Sequence, residues 1–259
     1  RSVVTDQFDG LALALEGVGE AIGEVGSGDR VLAAKVKELF LDARLEPQSA
    51  VCWKNRLGRA VIKVTVPRYK MTRAIPAELM RELSAISDLR FGYPVLSDGG
   101  RWAQYTFYEH APYAAEYGAS QIICGSNTLC GDSYRFLTLE GGAAHLVLSD
   151  GMGSGGGAAV DSTMAAALIA RLLEAGMSWA SALHLVNAAL TVKGSDESLA
   201  TVDGARIDLY TGQLELYKAG AAPTIVIREG KSLEVDSASL PAGILSGVDF
   251  ERSQLPLGL

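Results

Sequence analysis

The stretch His145–Asp161, HLVLSDGMGSGGGAAVD, decides the reading of this chain. A short apolar run ends in Asp150, glycines follow at once, and an alanine-rich helical pattern comes next. Asp-Gly at the end of a buried strand sets a carboxylate beside a backbone carbonyl that no Cβ screens. Oxygen donors of that kind suit Mg²⁺ or Mn²⁺. Asp132, in Cys-Gly-Asp-Ser one strand earlier, supplies a second carboxylate at a strand end of the same sheet. Asp-Gly alone is usually a turn. Two strand-end acids in one sheet point instead to a cation cluster, and two such ions can activate a water for attack on phosphorus.

The same glycines contain Gly151-x-Gly153-x-x-Gly156, the spacing of a dinucleotide fingerprint between strand and helix. Asp150 would repel a pyrophosphate there unless a metal intervened. The acid expected at the end of the next strand is missing, and two helices precede that strand. A Walker A loop is excluded because no Gly-Lys-Ser/Thr follows. No Gly-x-Ser-x-Gly elbow or Cys–His signature supports acyl transfer.

Around this centre, Ser133–Leu139 and Ala144–Ser149 read as paired strands, Ala158–Glu174 as an amphipathic helix ended by Gly176, and Ser178 as the cap of a helix to about Leu190. Leu199–Tyr210, Gln213–Ala219, Thr224–Arg228 and Lys231–Val235 read as strands, with tight turns at Thr211-Gly212 and Glu229-Gly230. Sequential hairpins predict an antiparallel sheet. Strand alternation puts Asp203 on an apolar face, where it needs a partner; a buried structural hydrogen bond and an approach to the site are both open. Asp196 and Glu197 begin this strand segment, either as a solvated loop or as a further source of ligands. His184 reads as structural, and His110 and His145 have no local acid or nucleophile.

Upstream, Thr5–Val25 and Arg30–Ala43 read as helices, the second capped by Asp29. Ser49–Asn55 and Ala60–Pro67 read as a hairpin, Pro76–Leu89 as a helix, Gly92–Gly100 as a loop and Trp102–Tyr108 as a strand. Residues 1–110 thus form a small α/β unit, and 111–259 a second unit that holds the chemistry.

With 259 residues and 48% hydrophobic content, the chain can bury such cores. Its net charge of −7 argues against a nucleic-acid partner. Three cysteines without metal spacing fit a reduced, cytoplasmic setting. No apolar run reaches the roughly 20 residues of a membrane span. The sequence starts at Arg1, so it is expected to be a piece of a longer protein.

Taken in order, Gly131-Asp-Ser-Tyr134, Ser149-Asp-Gly-Met-Gly153, the helix after it, Asp196-Glu-Ser-Leu-Ala-Thr-Val-Asp203, Ile207-Asp-Leu209, Lys218-Ala-Gly-Ala-Ala-Pro223 and Leu240-Pro-Ala-Gly-Ile244 carry a resemblance. Over about 111–255 the chain resembles the metal-dependent protein phosphatase 2C family, in particular its stage II sporulation protein E branch. The resemblance implies an α+β fold, a sandwich of two antiparallel β-sheets flanked by helices. It implies dephosphorylation of phosphoserine or phosphothreonine in a small phosphoprotein such as an anti-sigma factor antagonist, with two Mn²⁺ or Mg²⁺ ions and a bridging water. Asp150 would bridge the metals, Gly151 would give its carbonyl, Asp132 would act on one metal, and Asp196 matches a third-metal acid of some members. It further implies that residues 1–110 regulate, that the helices Ala158–Glu174 and Ser178–Leu190 form a switch, and that the intact protein carries a membrane anchor before this region. The first amphipathic helix packs either on its own domain or on another copy in a homodimer, and periodicity leaves both open. The family draws another metal Asp from a late Ser-Asp-Gly motif. Leu259 precedes that position and Asp249 does not match it, so either the chain is truncated, the preferred reading, or it is a phosphatase-like binding module without turnover.

Overall fold

In the computed structural model the described residues are 28–55, 58–123, 129–139, 141–153, 155–193, 199–244 and 250–258. They fall into two compact units that divide between Pro112 and Tyr113. The helix expected over Thr5–Val25 lies outside the described residues.

In the first unit, helix α1 (Arg30–Asp42) starts at Asp29, whose carboxylate accepts from Leu32 N at 2.9 Å, satisfying a backbone donor the helix cannot pair itself. The helix buries Val36, Leu39 and Phe40, one stripe at helical spacing. Strands β1 (Ser49–Lys54), β2 (Ala60–Pro67), β3 (Val95–Gly99) and β4 (Trp102–Tyr108) form an antiparallel sheet in the order β1-β2-β4-β3. Helix α2 (Ala77–Ser87) adds Leu79 and Leu83 to a core in which Phe40, Tyr105 and Phe107 meet as rings. Strand β3 corrects the expected loop over Gly92–Gly100: Val95 pairs with Thr106 and Gly99 with Trp102. It is an exposed edge strand, so Ser97-Asp98-Gly99 carry no apolar alternation to betray it.

The second unit is built on a five-stranded, wholly antiparallel sheet: β5 (Asp132–Leu139), β6 (Ala143–Asp150), β7 (Val202–Asp208), β8 (Gln213–Ala219) and β11 (Glu251–Pro256), in the order β11-β8-β7-β6-β5. A two-stranded antiparallel ribbon, β9 (Thr224–Arg228) with β10 (Lys231–Val235), stands beside it. Strand β11 was not expected, because only Leu255 of its three half-buried positions is apolar and the strand ends in proline.

Helices α3 (Gly156–Glu174) and α4 (Trp179–Lys193) flank the sheet. Helix α3 ends on Gly176, at φ +86°, with Gly176 N donating to Leu173 O and Met177 N to Leu172 O, the left-handed glycine stop read from the sequence. Ser178 caps α4, accepting from Ser181 N at 3.1 Å. By length and composition α3 could cross a membrane. Here Ala165, Ala166, Ile169 and Leu173 instead pack into one core with Val147, Val202, Leu183 and Val186. Trp179 lies flat on Tyr217, ring centroids 4.9 Å apart, and a Cβ on Gly204 would stand 2.5 Å from the Trp179 ring. Only glycine at 204 lets the helix layer come this close.

Candidate metal centre

Register brings the two predicted acids together. In the β5–β6 hairpin Asp132 stands directly opposite Asp150, with Ser133 opposite Ser149. Side chains directly opposite on antiparallel strands have Cβ atoms about 5 Å apart. The Asp150 carboxyl is pushed up from its ordinary value, first by burial and then by the hydrogen bond and charge of Asp132. A proton or a cation relieves that repulsion. Gly151 N donates to Gly131 O at 3.1 Å. A Cβ on Gly131 would stand 3.7 Å from Gly151 O and 3.8 Å from Asp150 Oδ1, so the Gly151 carbonyl and the Asp150 carboxylate flank one point beside the hairpin.

The Asp150–Gly151 turn is pinned from two sides. Asp150 N donates to Thr201 Oγ1 at 3.0 Å, Thr201 N donates to Asp150 O at 2.8 Å, and Ser149 Oγ donates to Thr201 O at 2.7 Å. Met152 N donates to Leu199 O, and Ala200 exchanges two backbone bonds with Ala242. From the other side, α3 packs so tightly that a Cβ on Gly151 would overlap the Ala158 carbonyl and lie 2.8 Å from its Cα. Thr201 was not singled out from the sequence, since its role rests on a partner 51 residues away.

The remaining candidates separate. Asp196 lies outside the described residues. Asp203 is paired: Lys218 Nζ donates to its Oδ1 at 2.8 Å, and Thr224 Oγ1 lies 3.0 Å from its Oδ2. The structural alternative therefore accounts for this acid. His145 is buried and accepts from Trp179 Nε1 at 3.0 Å. Burial, then the charge of Arg206, lowers its pKa to about 4, so the ring is neutral. His184 is exposed and meets Phe250 edge-on. The antiparallel neighbours of β6 remove the dinucleotide reading, which needs a parallel strand order.

A cleft of about 400 Å³ opens beside Asp132, lined by Gln121, Cys130, Tyr134 and Arg135, with Thr163 from α3. Among the described residues no three ligand-bearing side chains gather. The two facing carboxylates and the adjacent carbonyl nevertheless form an all-oxygen donor set of excess negative charge, which fits a hard divalent cation.

Residues 140–258 match the family described as stage II sporulation protein E (SpoIIE). Stage II sporulation protein E of Priestia megaterium is 31% identical over 139 residues, covering 54% of this chain and 23% of that protein. The protein of the same name from Bacillus subtilis (strain 168) is 30% identical over 139 residues, covering 54% and 17%. The chain thus spans less than a quarter of the length of these relatives. Among solved structures, the PP2C phosphatase domain and a fragment of the regulatory domain of the cell fate determinant SpoIIE from Bacillus subtilis aligns over 97% of this chain and 77% of its own, with a TM-score of 0.56 and 23% identity. The antiparallel sheets flanked by helices are therefore the protein phosphatase 2C fold, and the resemblance of the second unit to stage II sporulation protein E, read first from its ordered motifs, is shown over residues 140–258.

Proposed function

We propose that the second unit is the catalytic part of a metal-dependent protein serine/threonine phosphatase of bacterial sporulation signalling. The observation that carries this reading is the pairing of Asp132 with Asp150 across β5 and β6, with the Gly151 carbonyl beside them. Asp132, Asp150 and the Gly151 carbonyl hold the metal, with Asp196 as a further ligand. Bound Mn²⁺ or Mg²⁺, two ions, supplies an activated water and offsets charge on the phosphoryl group. The chain's own contribution is positional. Thr201 fixes the Asp150 backbone from both its N–H and its C=O, so the carboxylate is presented without loss of freedom at the moment of binding.

The substrate in this reading is a small phosphoprotein such as an anti-sigma factor antagonist. The unit before Tyr113 is regulatory, in keeping with the regulatory-domain fragment in the solved structure it resembles. Helices α3 and α4 act as the switch. Since α3 touches Gly151 directly, a shift of α3 must move a proposed ligand. The intact protein works at the cytoplasmic side of a membrane anchor and pairs as a homodimer.

The test is Mn²⁺-dependent release of phosphate from a phosphoserine peptide by the chain extended past Leu259, where the resemblance expects the remaining ligand. Asp150→Asn is expected to lower turnover at least about 100-fold. Turnover that needs no metal, or survives the substitution, sinks the reading. Peptide binding without any turnover would leave a binding module.

A further inference from the structure

We infer that the cleft beside Asp132 receives the polypeptide flanking the phosphorylated residue, and that Arg135 selects substrates with an acidic side chain about three positions from it. This inference rests on the phosphatase reading of the Asp132–Asp150 centre. Four observations support it. Strand β5 is an edge strand of the five-stranded sheet, and its first residues line the cleft together with Thr163 of α3. The cleft is therefore continuous with one of the two proposed metal ligands. Among the described residues Arg135 is the one cationic side chain lining it. Its hydrogen-bond acceptors are both neutral, the Tyr134 carbonyl at 2.6 Å and Ser133 Oγ at 3.4 Å, and among the described residues it makes no ion pair.

A guanidinium held only by neutral oxygens gains when a carboxylate replaces one of them, because charge-assisted hydrogen bonds are shorter and stronger. The surroundings sharpen the point. The chain is acidic, with a net charge of −7. Without a local cation, an acidic substrate segment would be repelled. Arg135 lies three residues along the strand from Asp132, so the two side chains leave opposite faces of β5 and meet only in the cleft at its edge, which both line; the separation along the strand is about 10 Å, and an extended peptide passing over that edge covers it in about three residues. The reach sets the expected spacing between the phosphorylated residue and the acid.

The test compares two phosphoserine peptides of equal length, one with Glu three residues to either side of the phosphoserine and one with Lys there. Binding to the chain extended past Leu259, with Mn²⁺, is read by fluorescence anisotropy, and phosphate release is followed in parallel. The Glu peptide is expected to bind about fivefold tighter than the Lys peptide, the scale of a partly exposed ion pair. Arg135→Glu is expected to reverse the order, and Arg135→Gln to abolish the difference. A purely structural role for Arg135 would weaken both peptides alike. Equal binding of the two peptides, binding of neither, or an unchanged order in Arg135→Glu overturns the inference. Because binding is read apart from turnover, charge-selective binding without phosphate release would refute the phosphatase reading and leave Arg135 as the selecting residue.

Discussion

Substituting Glu215 by Gln probes how the helix layer is held on the five-stranded sheet. Glu215 sits on β8, its side chain only 10% exposed. It accepts from Arg252 at 2.7 Å, Gln254 at 2.8 Å, Tyr217 at 2.9 Å and Arg206 at 3.3 Å. Burial alone would raise its pKa, but these donors outweigh it and hold the carboxyl at about 2 against an ordinary 4.5. That difference corresponds to about 3 kcal/mol. Arg252 is half exposed, so solvent screens its share, and a working figure is about 2 kcal/mol. Because the folded pKa is depressed, the contribution is complete above pH 4.5 and is lost as the pH falls through 2. Urea unfolding from pH 7 to pH 2.5 measures it. Trp179 is the natural reporter, since it stacks on the tyrosine that donates to Glu215. With Trp53 and Trp102 replaced by Phe, its fluorescence follows the second unit alone. Glu215→Gln is expected to be about 2 kcal/mol less stable at pH 7, with the gap closing as the pH approaches 2. A gap that stays constant over this range would refute the argument that ionisation is what stabilises the network.

Two further outcomes follow from the packing. Lys218→Met leaves Asp203 without its buried cation and is expected to cost about 3 kcal/mol in urea unfolding, with Asp203→Leu added to it restoring part of the loss; full additivity of the two substitutions would show that the pair is not coupled. Gly151→Ala pushes a Cβ into the Ala158 backbone, so it is expected to cost 1 to 3 kcal/mol or more, roughly the range for overpacking, and to weaken Mn²⁺ binding measured by calorimetry. Undiminished Mn²⁺ affinity in that variant would separate the turn from the metal centre.

The parts of this fold legible in the sequence are those whose burial is one-sided and local. Strands β6 and β8 carry their buried residues in short runs bounded by turn residues, and Asp29, Ser178 and Gly176 mark helix ends by local chemistry. Strands β3 and β11 escaped because both are edges without a fully buried side chain, where pairing leaves little compositional trace. The candidate site divides in the same way. Asp150 and Gly151 were legible because a strand end, a carboxylate and a bare carbonyl are adjacent in sequence. Thr201 and Arg135 were not, since one acts on a backbone 51 residues away and the other through a cleft that exists only once α3 lies beside β5.

Asp132 was legible as a residue, but its meeting with Asp150 is a matter of register. Side chains alternate between sheet faces with a period of two. With Asp132 opposite Asp150, Val147 and Ser149 face the helix layer, and Leu148 and Asp150 face away from it. A one-residue slip of β5 would set Asp132 against Ser149, turn its carboxylate towards the helix layer and expose Ser133 in its place. Burying an unpaired carboxylate there would cost several kcal/mol. The apolar pattern that forms the core and the charge pattern that forms the candidate centre therefore select the same register, so a substitution that loosens the hairpin is expected to weaken metal binding even where it touches neither aspartate.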